Sequence, residues 1–231
     1  MAPKGVDPNR PAIEANILLT AARLFAERGY SATSIQDISE AVGLQKSSLY
    51  HYVSGKEQLL FGALAYGMEV ALDRLEPIQA SHDTPREKLR KCVEASVLSV
   101  LERRHIVNVF LGDRRYLTPE HREQYVALRD RYEGVFREIL VEGIAAGEFD
   151  DLNPSITVKG ILGMCYWLVQ WYSPTGPMSP EDIARFFAHV VVDRMLIRLG
   201  GQTQVRRPRL PALPLGSEDR SDSGEAGGDR C

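Results

Sequence analysis

The sequence predicts an all-α protein with an N-terminal helix-turn-helix head of three helices followed by a larger helical bundle. Three observations predict it. Apolar residues recur with the 3.6-residue period of a buried helix face from Ile13 onward, and no stretch alternates with period two for long enough to make a strand. Helix starts of the form Thr-Pro, Asn-Pro or Ser-Pro recur at Thr84-Pro85, Thr118-Pro119, Asn153-Pro154 and Ser179-Pro180. Two short helical patterns near the N-terminus are joined by a tight turn at Gly43-Leu44, as helix-turn-helix units require.

In chain order, Pro3, Pro8 and Pro11 among polar residues make residues 1–12 a flexible arm. Ile13, Ile17, Ala21, Leu24 and Phe25 then share one helix face that stops at Gly29. Thr33 and Ser34 offer cap oxygens, Asp37 stands three residues after Ser34, and Ile35, Ile38 and Val42 give the stripe of a second helix closed by Gly43. Gln45 to Tyr52 is short and polar except for Leu49, Tyr50 and Tyr52, and a longer helix runs from Ser54-Gly55-Lys56-Glu57 to about Pro77. The Thr84 start opens a helix to about Arg103, the Thr118 start one to about Gly147, and Asn153-Pro154 one to Tyr172. After the break at Ser173-Pro174-Thr175-Gly176-Pro177, Ser179 caps a last helix with Ile183, Phe186, Phe187, Val190, Val191 and Met195 on one face. Residues 200–231 hold six Gly, three Pro and three Ser, with five Arg against three Asp and two Glu, the composition of a disordered tail. The resulting domains are 13–60 and 61–199, between arm and tail.

Composition narrows the function. With 231 residues, 44% hydrophobic and 26% charged, the chain is neither fibrous nor a membrane bundle. Its N-terminus has no apolar signal segment and no window of about 18 apolar residues is uninterrupted, so a cytoplasmic protein without membrane contact is expected. Cys92, Cys165 and Cys231 are widely spaced and read as reduced thiols. No metal site is expected, and His51, His82, His105, His121 and His189 are scattered without the partners a catalytic site needs, so no enzyme and no catalytic residue is expected. The net charge of -3 excludes binding nucleic acid through a basic whole. Through residue 60 six cations balance six anions, so DNA binding must rest on a few placed groups.

Those groups lie between Thr33 and Lys56. Ile35, Ile38, Val42, Leu44 and Leu49 hold two helices together and leave the rest of the second outward. Gln45, Lys46, Ser47, Ser48, Tyr50, His51 and Tyr52 carry the donor and acceptor types that read base edges and grip phosphates, with Thr33 and Ser34 beside them. Lys56 adds a charge to a helix N-terminus, where free backbone N–H groups favour a phosphate.

With Gly29-Tyr30 before it and Lys56-Glu57-Gln58-Leu59-Leu60 after it, this segment resembles the DNA-binding domain of the TetR family of bacterial transcriptional regulators. The resemblance covers roughly residues 13–60. It implies an all-helical homodimer that binds palindromic double-stranded operator DNA and is released by a small hydrophobic effector in its C-terminal domain. Tyr50 and Lys56 match phosphate-contacting positions of the family. Ser39 stands where the family usually has Ala, and Val53 where it usually has Phe.

In the C-terminal part, Trp167 and Trp171 share one helix face and can line a pocket or fill a dimer core. The phrase running from Trp167 through Trp171-Tyr172 to Gly176-Pro177 is similar to TetR-type regulators of fatty-acid, steroid-ring and phenylacetate breakdown that sense acyl-CoA thioesters, with Ser173 where those commonly carry Arg. An acyl-CoA needs an apolar slot and cations for its phosphates. Phe110, Leu111, Phe136, Met164, Trp167 and Trp171 are the expected slot, and Arg103, Arg104, Arg114 and Arg115 the expected cations, which could equally be a solvated helix surface. Phe186, Phe187, Val190 and Val191 are the expected dimer interface, or else intrachain core. The expectation is a ligand-responsive repressor without a cofactor. An efflux-controlling sensor of drugs or aromatic compounds, and a nucleoid protein indifferent to ligand, are the alternatives.

Overall fold

In the computed structural model the structure describes residues 9–196. Among these it forms α1 (Arg10–Arg28), α2 (Ile35–Ala41), α3 (Lys46–Leu49), α4 (Lys56–Gln79), α5 (Pro85–Glu102), α6 (Arg104–Asp113), a 3-10 turn (Arg114–Tyr116), α7 (Pro119–Ala145), α8 (Pro154–Trp171) and α9 (Pro180–Ala188), which continues as a π-helical turn (His189–Met195). No strand occurs among the described residues. The expected tail at 200–231 and residues 1–8 of the expected arm lie outside the described residues. Residues 10–12 of that arm are already helical, because Pro11 in the first turn surrenders an N–H that has no helical partner there.

The punctuation seen in the sequence is what starts the bundle helices. Thr84 accepts from the Glu87 backbone N–H while the Glu87 carboxylate reaches back to Thr84, a reciprocal cap. Thr118, Asn153 and Ser179 accept from His121, Ile156 and Asp182 in the same way, each one residue before a proline. The helix α6 carries no such signal. Arg103 breaks the chain between α5 and α6 with φ -117° and ψ 34°, so the helix from Thr84 ends where expected, and α6, for which the sequence predicts no helix, is a separate element.

Two apolar cores result. The bundle core surrounds α5, whose Leu89, Cys92, Val93, Val97 and Val100 meet Phe136 and Ile139 of α7, Ile161 and Leu168 of α8, and Ile183 and Val191 beyond. Burial pushes the Cys92 thiol up to about 12, so it stays protonated and acts as a small apolar group. The head core joins Ile17, Leu24 and Phe25 of α1, Ile38 of α2, Leu49 of α3 and Leu59, Leu60 and Leu64 of α4. It does not stop near residue 60: Ile106 and Val109 of α6, Leu117, and Tyr125 of α7 belong to it as well.

The C-terminal turn is tied down by Asp193. Its carboxylate accepts from Arg90 at 2.7 and 2.8 Å, from Arg86 at 2.8 Å, and lies 2.9 Å from the His189 ring. The Arg90 guanidinium foremost, with Arg86 and His189, holds the Asp193 carboxyl well below its ordinary value. A depressed carboxyl stabilises the fold above its unfolded-state value and loses that contribution as pH falls toward the folded value. Asp193→Asn should therefore lower stability at pH 7 by about 1–2 kcal/mol. The gap between wild type and variant in thermal melts should close as pH drops below about 4; a gap that persists at pH 3 would show that the ion pairs are not its source.

Candidate functional site

The outward face of the head is built from the turn upward. Ser34 caps α2, accepting from Asp37 N while the Asp37 carboxylate returns to the Ser34 N–H at 2.7 Å. Gly43, at φ 72°, takes the left-handed conformation that turns the chain into α3. Leu49 is fully buried and fixes the rotation of α3. Gln45, Lys46, Ser47, Tyr50 and His51 are thereby exposed on one side, with Ser48 and Tyr52 half-buried. Arg10, which the sequence did not single out, closes this surface: it donates to the His51 carbonyl at 3.4 Å and covers the Tyr52 ring at 5.3 Å. At the departures from the family pattern, buried Ser39 donates its hydroxyl to the Gln36 carbonyl at 2.9 Å and Val53 packs into the head core.

Two expected contact residues do other work. Thr33 is sealed inside, its hydroxyl donating to the Gly29 and Leu24 carbonyls at 2.9 and 3.3 Å, so it faces no groove. Lys56 turns inward: its ammonium donates to the Tyr30 and Thr33 carbonyls at 2.9 Å each and sits 4.3 Å above the Tyr30 ring. It braces the α1–α2 turn against α4 and is occupied, as a phosphate ligand would not be, in this arrangement. Of the other head cations among the described residues, Arg10, Arg23 and Arg28 pair with Glu14, Glu27 and Asp37. Lys46 alone among them keeps an unpaired charge, and it stands in the middle of the exposed face.

The head is locked to the bundle through its turns. Tyr30 stacks on Tyr116 with ring centroids 4.7 Å apart, and the Ser31 hydroxyl donates to the Tyr116 oxygen at 3.2 Å. At the start of α4, the Glu57 carboxylate accepts from Thr118 N at 2.9 Å and lies 2.7 Å from the His121 ring nitrogen, while that ring stacks on Phe61 at 4.2 Å. The 3-10 turn and the start of α7 are thus in direct contact with the α1–α2 turn and the start of α4.

A narrow cavity of about 60 Å³ lies where the two cores meet. Leu64, Gly67, Met68 and Ala71 of α4 form one wall, and Ser96, Ser99, Val100 and Arg103 another. Ile106, Val107 and Phe110 of α6, Tyr125 and Tyr132 of α7 and Tyr166 of α8 complete it. Gly67 lets α6 approach: a Cβ there would stand 2.8 Å from Ile106 Cγ2. At the cavity wall Arg103 and Arg74 share the Glu102 carboxylate at 2.9 and 2.8 Å, two cations on one anion.

The expected ligand residues do not share this cavity. Phe110 and Arg103 line it. Phe136 is fully buried in the bundle core, one turn further along the same face of α7 than the cavity-lining Tyr132. Leu111 is exposed, Arg114 lies over the outer side of Phe110 at 5.3 Å, and Arg115 lies over Tyr116 at 5.1 Å. Met164, Trp167 and Trp171 instead meet the expected dimer residues Phe186, Phe187, Val190 and Val191 along one open groove between α8 and the C-terminal helix. Trp167, Trp171 and Phe186 are 64%, 51% and 57% exposed there, a large apolar surface facing outward.

Comparison with known proteins matches both parts. Residues 17–63 match the model for bacterial regulatory proteins of the tetR family, and residues 82–195 that for a tetracyclin repressor-like C-terminal domain. The HTH-type transcriptional repressor KstR2 of Mycolicibacterium smegmatis is 31% identical over 200 residues, covering 85% of this chain and 94% of the relative. Among solved structures, the TetR family regulator PfmR from Thermus thermophilus superposes with a TM-score of 0.71 at 34% identity, covering 77% of this chain and 97% of that one. AibR, solved in complex with isovaleryl coenzyme A and operator DNA, superposes with a TM-score of 0.70 at 31% identity, covering 78% and 98%. A helix-turn-helix head whose polar recognition face is exposed, locked to a bundle with a cavity at the junction, carries these matches end to end: the chain belongs to the TetR family of transcriptional regulators and is not an enzyme.

Proposed function

We propose that the chain is a dimeric repressor that holds palindromic operator DNA in its empty form and lets go when an acyl-CoA thioester enters the seam cavity. The observation that carries this reading is the position of the cavity between the head core and the bundle core, with α6 as the shared wall. At about 60 Å³ the space is too small for an acyl chain, since ligand pockets run to several hundred Å³. An occupant must push Ile106, Val107 and Phe110 outward, and α6 lies against α1 of the head. Ligand and operator then favour different arrangements of α6, and by linkage each weakens the other. The Arg74–Glu102–Arg103 cluster leaves one net positive charge beside the cavity for a phosphate. The isovaleryl coenzyme A bound by AibR supports the thioester class. The exposed groove of Trp167, Trp171 and Phe186 supplies the apolar area a second protomer would cover.

Footprinting on DNA upstream of the protein's own and neighbouring genes, with and without a series of acyl-CoAs, tests the whole reading. A protected palindrome cleared by one of them is expected; no protected palindrome would overturn it. Lys46→Ala should weaken operator binding and reduce the salt slope by about one counterion per protomer, with melting unchanged. Lys56→Met should instead lower the melting temperature of the head, because the Tyr30 and Thr33 carbonyls lose their donor. Gly67→Ala should displace Ile106 and weaken operator binding about tenfold without any ligand, read by fluorescence anisotropy; wild-type affinity in that variant would exclude α6 as the transmitting element.

A further inference from the structure

The seam cavity is not a plain hydrocarbon slot. Its lining includes three tyrosines and two serines, and their hydrogen bonds can be followed one by one. Ser96 and Tyr132 satisfy each other at 2.7 Å. Ser99 accepts from Arg74 at 3.1 Å. The hydroxyls of Tyr125 and Tyr166 have no hydrogen-bond partner among the described residues. Arg137 Nε is the only side-chain nitrogen or oxygen among those residues that is both sealed and unpartnered. The two phenol oxygens, unpartnered as well, therefore open onto accessible space, and both residues line the cavity. Both rings lean on Phe110, with centroids 5.6 and 5.9 Å away, so the two rings belong to the same stretch of the wall. Burial pushes both phenols up from their ordinary value, so both keep their protons and are donors at any physiological pH.

A buried donor without an acceptor is unfavourable by about 1–3 kcal/mol, and a site built to satisfy such donors discriminates strongly against ligands that leave them bare. From two unpartnered phenols in the lining of one cavity, we infer that the effector carries a carbonyl oxygen on its otherwise apolar body, separate from any thioester, which accepts from Tyr125 and Tyr166. This rests on the seam cavity being the effector site and narrows the class from acyl to oxo-acyl. One carbonyl oxygen has two lone pairs and can accept from both hydroxyls. Leu64, Met68, Val100 and Ile106 supply apolar wall around these groups.

The test titrates the full chain calorimetrically with a saturated acyl-CoA and with an oxo-acyl-CoA of equal length whose ketone lies in the distal half of the chain. An alkanone and an alkane of the same length, without coenzyme A, run alongside. The ketone-bearing member of each binding pair is expected to bind at least about tenfold tighter. Tyr125→Phe and Tyr166→Phe should each remove most of that preference while leaving affinity for the saturated partner and the melting temperature unchanged. Equal affinity within the pairs, or equal losses for both members in the Phe variants, would overturn the inference; the latter result means the phenols hold the thioester. If neither CoA ester binds but the alkanone outbinds the alkane, the thioester reading fails and the phenol inference stands. If no compound binds, both fall.

Discussion

The arrangement depends on the close approach of α6 to α4 at Gly67. With no side chain there, Ile106 seats against the α4 backbone and carries its helix into the head core, where Ile106 and Val109 pack with α1 and α4 residues. The same Ile106 is a wall of the cavity, so one side chain is counted in the packing of the head and in the shape of the seam cavity. A second glycine of α4, Gly62, does the same for α1, where a Cβ would stand 2.8 Å from Leu18. The rod α4 thus holds α1 of the head and the cavity-facing α6 with their side chains against its backbone. Close packing of this kind has few intermediate states, which is what converts a local insertion into a discrete shift.

Much of this was legible in the residues. Reciprocal caps at Ser34 and Thr84, the Thr-Pro, Asn-Pro and Ser-Pro starts, and the Gly43 turn act within three or four residues, so the sequence displays both partners at once. The start of α6 was not legible. Between Glu102 and Arg104 there is no Pro, Gly or capping side chain, and the break is imposed by packing against α1 and α4. Side-chain roles that depend on distant partners were hidden for the same reason. Lys56 looks like a phosphate ligand at a helix start until the Tyr30 carbonyl, twenty-six residues away, is seen to hold it. Phe136 has the size and apolarity of a pocket residue, and only its place one turn beyond Tyr132 along α7 sends it into the core instead. The cavity itself draws on five helices, from α4 to α8, a convergence no periodicity discloses.

The charge balance of the whole chain, -3, is reconciled with operator binding by where each head cation finds its partner. Three head arginines are neutralised by carboxylates within 3.6 Å, and Lys56 is absorbed by carbonyls. What reaches the exposed face is a single ammonium at Lys46 among neutral hydrogen-bonding groups. Such a surface has little attraction for DNA in general and depends on placed contacts, repeated by symmetry, for its hold on one sequence.

The smallness of the seam cavity has a kinetic side. On the proposed reading an effector cannot diffuse into a space of about 60 Å³, so it would wait for the wall formed by α6 to swing away, and the frequency of that breathing would set the ceiling on its association rate. Effectors of different strength would then switch the promoter on with a common delay belonging to the protein. Their differences would surface afterwards, in how long the gene stays on once the supply of effector ends.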